Sequence, residues 1–79
     1  MKISHLSTGT VEVPANGMVE PVVSRTDGGT FVGATLVVSG SSYVIATVAA
    51  FTSSQITVRL RSIGSTVVTP KVDIYLLYK

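Results

Sequence analysis

The chain has 79 residues, of which 46% are apolar and 13% are charged, and it contains no Cys and no Trp. This length suits one small domain, and the apolar content excludes an intrinsically disordered tail. The missing cysteines exclude disulfides and thiol nucleophiles, and a net charge of +2 from scattered basic residues does not predict nucleic-acid binding.

The first nine residues are polar and carry one positive charge, and no apolar segment follows them. They therefore lack the features of a signal peptide, and we expect residues 1–9 to be an N-terminal arm that precedes a single domain over residues 10–79. His5, the only histidine, is expected to be a surface or arm residue. No apolar run approaches the ~20 residues that span a bilayer, so no membrane insertion is expected.

Period-two alternation of apolar and polar residues predicts a strand in each of the next segments. Residues 10–13 alternate, with both valines inward. Residues 18–24 contain Pro21, which cannot donate a backbone hydrogen bond, so an edge or bulged strand is predicted there. Residues 30–39 and 43–51 are apolar on both faces, which is typical of strands covered on both sides.

The last two predicted strands alternate most clearly. Residues 55–61 direct Ile56, Val58 and Leu60 to one face. Residues 72–79 direct one set of side chains to the inner face, namely Val72, Ile74, Leu76 and Tyr78. Turn sequences separate all of these segments at nearly regular spacing. The sequence therefore predicts an all-β protein, a small antiparallel β-sandwich or barrel of about six strands.

The size of the chain and its last strand both indicate self-association. A folded domain of this size has a surface of about 4,500 Å², and its hydrophobic burial barely offsets the conformational entropy that folding removes. Small domains at this margin gain stability from disulfides, metals or partner chains, and this chain lacks the residues for the first two. The outer face of the last strand is also half apolar, as expected for contact with a neighbouring subunit. We therefore expect a homo-oligomer.

Arg59 and Arg61 project from one face of a single strand and have two interpretations. They could form an anion-binding rib for carboxylate or phosphate groups of a surface glycan. They could instead pair with Glu12, Glu20 or Asp73 across strands or subunits. The residues expected at an interface are Arg59, Arg61, Asp73, Tyr75 and Leu77.

The sequence offers no set of catalytic residues. Glu12 and Glu20 flank a predicted hairpin and could form a carboxylate pair, although solvent-facing or interface charges are the simpler interpretation. His5 and the many serines are not accompanied by a G-x-S-x-G motif. Asp27 is followed by two glycines without the further acids of a calcium loop, so a turn is predicted. We expect no enzyme activity, no cofactor and no metal.

The strand layout over residues 10–79, carried by residues 43–48, 51–60 and 72–77, resembles the small β modules of tailed bacteriophages. Such modules occur in tail-fibre tips, receptor-binding proteins, head fibres and capsid decoration proteins. The strand order is also similar to that of H-type lectins, which are six-stranded sandwiches that assemble as trimers. The resemblance implies a homotrimeric, non-enzymatic virion protein made in the host cytoplasm, with capsid or fibre proteins as partners.

An alternative function is that of an adhesin or receptor-binding module, with a host-surface glycan as its partner. Loops at the ends of a sandwich are the usual place for such a site. The candidate ligand-binding residues lie in three loops and are Asp27, Ser41, Ser42, Tyr43, Ser53 and Ser54.

Overall fold

The computed structural model describes all residues, Met1–Lys79, and contains seven strands and no helix. All strand pairings are antiparallel, which confirms the predicted fold class. The strands are β1 (Lys2–Thr10), β2 (Met18–Val19), β3 (Val22–Ser24), β4 (Phe31–Ser39), β5 (Val44–Phe51), β6 (Gln55–Ser62) and β7 (Lys71–Tyr78).

The strands form two sheets. In the first sheet β7 is central, between β1 and β4; in the second β6 is central, with β5 on one side and β2 and β3 on the other. β2 and β3 continue one another in a single register, because Met18 pairs with Arg61 and Val22 with Thr57. Between them the carbonyl of Pro21 accepts a hydrogen bond from Val58 N. The prediction of an edge strand at Pro21 is therefore confirmed. Because β2 and β3 share one place beside β6, the seven strands occupy six positions in the two sheets.

The core lies between the two central strands. Six inward side chains of β6 and β7 are fully buried, as their alternation predicts, and Val13 completes the cluster from the loop that follows β1. Tyr78, which was also expected to face inward, is only partly buried against this cluster. The six buried strand residues are Ile56, Val58, Leu60, Val72, Ile74 and Leu76. The accessible surface is 4557 Å², close to the expected value, and the molecule measures 40 × 17 × 16 Å.

The connecting loops fall at the two ends of the long axis. At one end, called the Arg25 end, residues 25–30 lie beside the turn at 52–54 and beside the C-terminus. Arg25 N donates a hydrogen bond to Ser54 O, and Thr30 and Lys79 exchange two backbone hydrogen bonds. At the other, called the Tyr43 end, Ile63 N donates to Tyr43 O. The sandwich therefore presents two separate groups of loops.

Two expectations are corrected. Residues 2–10 form strand β1 along β7 instead of an arm, because alternate side chains such as Leu6 pack against the core. Strands β4 and β5 were expected to be covered on both sides, but each lies at the edge of its sheet. Their outward residues Val37 and Ile45 are about half exposed, so the apolar outer faces of these strands have no cover within the chain.

Candidate functional site

Strands β4 and β5 carry no charged residue. No charged residue occurs between Asp27 and Arg59, and this stretch contains β4 and β5, whose free edges belong to different sheets and contact one another. Edge strands of soluble proteins usually carry charges or proline, which prevent edge-to-edge pairing. The opposite edges carry them, with Lys2 in β1 and Pro21 between β2 and β3. We call the uncharged surface formed by β4 and β5 the β4–β5 side.

A groove of about 600 Å³ runs along the β4–β5 side. Two phenylalanines, one from each edge strand, stand at one end of it. The rings of Phe31 and Phe51 stack with their centroids 4.0 Å apart and an interplanar angle of 22°, and Phe51 is 52% exposed. All six lining residues are apolar, and three of them are alanines: Phe31, Ala34, Val48, Ala49, Ala50 and Phe51.

Both edge strands are irregular beside this groove. The register of β4 shifts between Phe31 and Gly33, and that of β5 shifts between Val48 and Ala50. A β-bulge leaves one residue of the bulged strand without a ladder partner and bends the strand. The extra residue is Val32 in β4 and Ala49 in β5. The groove is therefore flanked by bulged backbone on both edges.

A buried arginine holds the loops of the Arg25 end together. The guanidinium of Arg25 donates from Nε (3.2 Å) and Nη2 (2.7 Å) to the Asp27 carboxylate. Nη2 also donates to Gly29 O at 2.9 Å, and Nη1 donates to Thr52 O. The side chains of Arg25 and Asp27 are each only 1% exposed. This one guanidinium therefore joins the loop before β4 to the turn after β5.

The charge of Asp27 is stabilised by this arrangement. The hydrogen bond from Arg25, and after it the one from Gly29 N at 2.9 Å, holds the pKa of the Asp27 carboxyl below its ordinary value. The carboxylate is therefore ionised at neutral pH. Because Asp27 and Arg25 neutralise one another, the pair adds no net charge to the uncharged surface beside it.

A pocket of about 360 Å³ adjoins the groove at the Arg25 end and shares its two phenylalanines. The other lining groups are polar side chains or glycine backbone. They are Arg25, Gly28, Gly29, Thr30, Thr52 and Ser53. Two of the predicted ligand loops, around Asp27 and around Ser53 and Ser54, thus meet at one pocket.

The third predicted ligand loop lies elsewhere. Ser41, Ser42 and Tyr43 are at the Tyr43 end, where Tyr43 lines a cavity of about 450 Å³ with the turn at 63–66. Because the two ends are separated by the length of the strands, the three loops do not form one site. The candidate ligand residues therefore divide into two groups.

The outer face of the first sheet carries Asp73, Tyr75 and Leu77, all on β7. The neighbouring strand β1 adds His5, whose ring stacks on Tyr75 with a centroid distance of 4.9 Å. His5 Nε2 also lies 3.0 Å from the Asp73 carboxylate. His5 therefore lies on the surface of the sheet, as one of the two alternatives had it, and forms a cluster with two of the predicted interface residues.

The outer face of the second sheet carries Arg59 and Arg61. Arg59 pairs with Glu20 at 3.3 Å, one of the ion pairs that the sequence suggested. Arg61 forms no ion pair and lies in register between Met18 and Ile45, which are half exposed.

The five predicted interface residues therefore occupy two opposite faces of the sandwich. This follows because β6 and β7 belong to different sheets and turn their outward side chains in opposite directions. Each face remains a separate candidate surface.

Three residues of the groove and its pocket, Arg25, Phe31 and Phe51, were not among the predicted site residues. Two sequence signals point toward them. One is the block over residues 28–58, which contains no charged residue. The other is an arginine two residues before an Asp-Gly-Gly turn, a spacing that lets the arginine reach the carboxylate.

Comparison with known proteins gives no relative. No family model matches the chain, and no curated protein and no solved structure matches it. Within the structure itself, no three or more His, Asp or Glu side chains converge in one place. The structure contains no helix that could cross a membrane.

Proposed function

We propose that this chain is a non-enzymatic structural protein of a phage virion, a β module that assembles with copies of itself as a trimer and decorates the capsid or a fibre. One observation carries the proposal. Twelve large hydrophobic side chains are 42–78% exposed, whereas the buried core contains seven hydrophobic residues. A further thirteen hydrophobic residues are partly buried against this core, and the twelve exposed side chains remain in contact with water.

The position of some of these side chains also supports assembly. Single exposed hydrophobic residues are ordinary on soluble proteins, but apolar patches mark interaction sites. Here four of the exposed side chains lie on the same two strands as the apolar groove, namely Val32, Val37, Ile45 and Phe51. A chain of this size without disulfides also gains from a partner the stability that its own core barely supplies.

The virion assignment is supported by the resemblance of the strand layout to phage β modules. In this role, docking is by shape-complementary contact of apolar strand surfaces. Arg61, which has no partner within the chain, is available to fix the register of docking through an acidic group on the capsid or fibre protein.

The mass of the purified chain in solution tests self-assembly. Sedimentation velocity at micromolar concentration is expected to give a particle of about 25 kDa, three times the chain mass of 8.2 kDa. An 8.2 kDa particle across the accessible concentration range would refute self-assembly. Particles reconstituted with and without the chain test the virion role, and the absence of additional density by electron microscopy would refute it.

A second candidate function, glycan binding, is favoured by the pocket at the Arg25 end. The exposed ring of Phe51 lies beside the hydroxyl side chains of Thr52 and Ser53 and beside glycine backbone. An apolar wall with a few polar groups is the usual composition of a small-ligand pocket, and a sugar ring has matching apolar and hydroxyl faces. A glycan array compared between the wild type and Phe51→Ala tests this candidate, and an array without binding above background would remove it.

A further inference from the structure

We infer that the β4–β5 side is the surface through which this chain binds a second copy of itself, with the β4 and β5 edges of one copy packed against those of the next. The inference rests on the proposed self-assembly and specifies the surface that carries it. This surface differs from the outer faces that hold Arg59, Arg61, Asp73, Tyr75 and Leu77.

The distribution of charge selects the partner. All ten charged residues lie outside residues 28–58, and the groove is lined only by apolar residues, so covering the groove removes no charge from water. A partner with a charged surface would lose hydration there without gaining an ion pair in return. A second copy presents the same uncharged apolar surface, and it is therefore complementary in charge.

The unprotected edges lead to the same partner. Free strand edges without charge or proline promote pairing with other chains, and soluble proteins normally cover them or protect them. The chain places a charge or a proline on β1 and on the β2–β3 edge, whereas β4 and β5 carry only one bulge each. A closed assembly that buries β4 and β5 against those of other copies removes the exposed edges and explains why they need neither charge nor proline.

The size of the surface is sufficient for a stable interface. With dimensions of 40 × 17 × 16 Å and a total surface of 4557 Å², one long side of the molecule amounts to about a fifth of the surface, or about 900 Å². Stable protein interfaces bury about 800 Å² on each partner. The β4–β5 side alone therefore provides the area that self-association needs.

Symmetry favours this side over a contact that joins the two opposite outer faces. A contact between the opposite outer faces of successive copies would repeat along a line and give an open array. A single side that faces a common axis gives a closed assembly, in which each copy contributes its groove and its two edges. The groove floor of Ala34, Ala49 and Ala50 leaves room for apolar side chains of the neighbouring copy.

A charge placed on this side tests the inference. Ala50→Glu adds a carboxylate to an exposed position of the groove, and Ala15→Glu makes the same change at an exposed turn of the Tyr43 end. We expect Ala50→Glu to weaken self-association about 100-fold or more, because like charges meet at the interface. Ala15→Glu is expected to assemble as the wild type does. Sedimentation equilibrium measures both.

Cysteine cross-linking provides a second measurement that needs no destabilising charge. The chain has no native cysteine, so Ala50→Cys places a single thiol on the β4–β5 side and Ala15→Cys places one at the Tyr43 end. A short bis-maleimide is expected to join copies of Ala50→Cys and not copies of Ala15→Cys. If Ala50→Glu fails to fold, the cross-linking experiment is the test. The inference is overturned if the bis-maleimide does not join copies of Ala50→Cys.

The remaining outcomes separate the two proposals. If the wild type is oligomeric and Ala50→Glu remains equally oligomeric, the inferred surface is wrong while self-assembly stands. If the wild type is monomeric at all concentrations, self-assembly itself fails. If a monomeric wild type binds virions and Ala50→Glu does not, the occupant of the β4–β5 side is another virion protein, which also overturns the inference.

Discussion

Arg25 and Asp27, two residues apart in the chain, form a doubly hydrogen-bonded ion pair that is almost completely withdrawn from solvent. The same guanidinium donates to the carbonyl groups of Gly29 and Thr52. A buried arginine with this many acceptors is a structural link, because each hydrogen bond satisfies a donor that burial would otherwise leave without water. The arrangement fixes the loops on which the pocket and one end of the groove depend.

Replacing this arginine is expected to destabilise the fold. Arg25→Met keeps the apolar stem but leaves the Asp27 carboxylate buried without its partner. Removing one member of a buried ion pair is strongly destabilising, because the remaining charge is uncompensated. We expect Tm to fall by roughly 10–20 °C, as measured by circular dichroism. Arg61→Met, at an exposed arginine without an ion pair, is the control and is expected to change Tm little. Equal Tm values for Arg25→Met and the wild type would contradict this role.

The same pair makes stability depend on pH in a defined direction. The pKa of Asp27 is below its ordinary value in the folded protein, chiefly because of the hydrogen bond from Arg25, so the unfolded chain binds a proton at higher pH than the folded one does. The stabilisation is complete above the unfolded pKa of about 3.9 and is lost as pH falls through the lower folded value.

Urea unfolding at pH 7, 4 and 2 measures this dependence. We expect Asp27→Asn to be less stable than the wild type at pH 7 and the difference to shrink as pH falls, because the wild type loses the stabilisation that its ionised carboxylate provides. Glu12→Gln, at an exposed acid without an ion pair, is expected to follow the wild-type curve at every pH. A constant difference between wild type and Asp27→Asn at all three pH values would show that the charge of Asp27 is not responsible.

Burial between the two central strands predicts a large difference between two chemically identical substitutions. Ile74→Ala removes a fully buried side chain between β7 and β6 and is expected to lower the free energy of unfolding by about 2–5 kcal/mol. Ile3→Ala, at a side chain that is 68% exposed on β1, is expected to change it by less than about 0.5 kcal/mol. Guanidinium titration measures both, and similar costs would mean that Ile3 is covered in the assembled protein.

The core was predictable because it follows local alternation. One face of β6 carries Ile56, Val58 and Leu60 regardless of which strands pair with it, and β7 shows the same alternation. Pro21 was also predictable as an edge position, since its missing donor limits where it can lie. These signals are local to a few residues, so no knowledge of tertiary contacts is needed to use them.

The partners of the edge strands could not be predicted in the same way. β1 pairs with β7 across more than 60 residues of sequence, and its His5 and Ser7 appear as polar as an arm would be. The apolar character of Val37 and Ile45 indicates burial but not what buries them. The hydrogen bond from Arg25 to Thr52 depends on how the loop after β3 meets the turn after β5, which is a property of the assembled sandwich.

The position of Gly29 gives the last expectation, because a side chain there would meet the C-terminal strand. A Cβ atom at Gly29 would lie 2.6 Å from Lys79 O and still closer to the Tyr78 ring, whereas one at Gly33 would meet nothing within 4 Å. We expect Gly29→Ala to displace the end of β7 and to cost about 1–3 kcal/mol, as overpacking does. Gly33→Ala is expected to be neutral or to stabilise by up to about 1 kcal/mol, since it only restricts the unfolded chain. Urea titration compares the two variants, and amide chemical shifts of Tyr78 and Lys79 report the displacement; a Gly29→Ala protein with wild-type stability and unchanged shifts at both residues would contradict the contact.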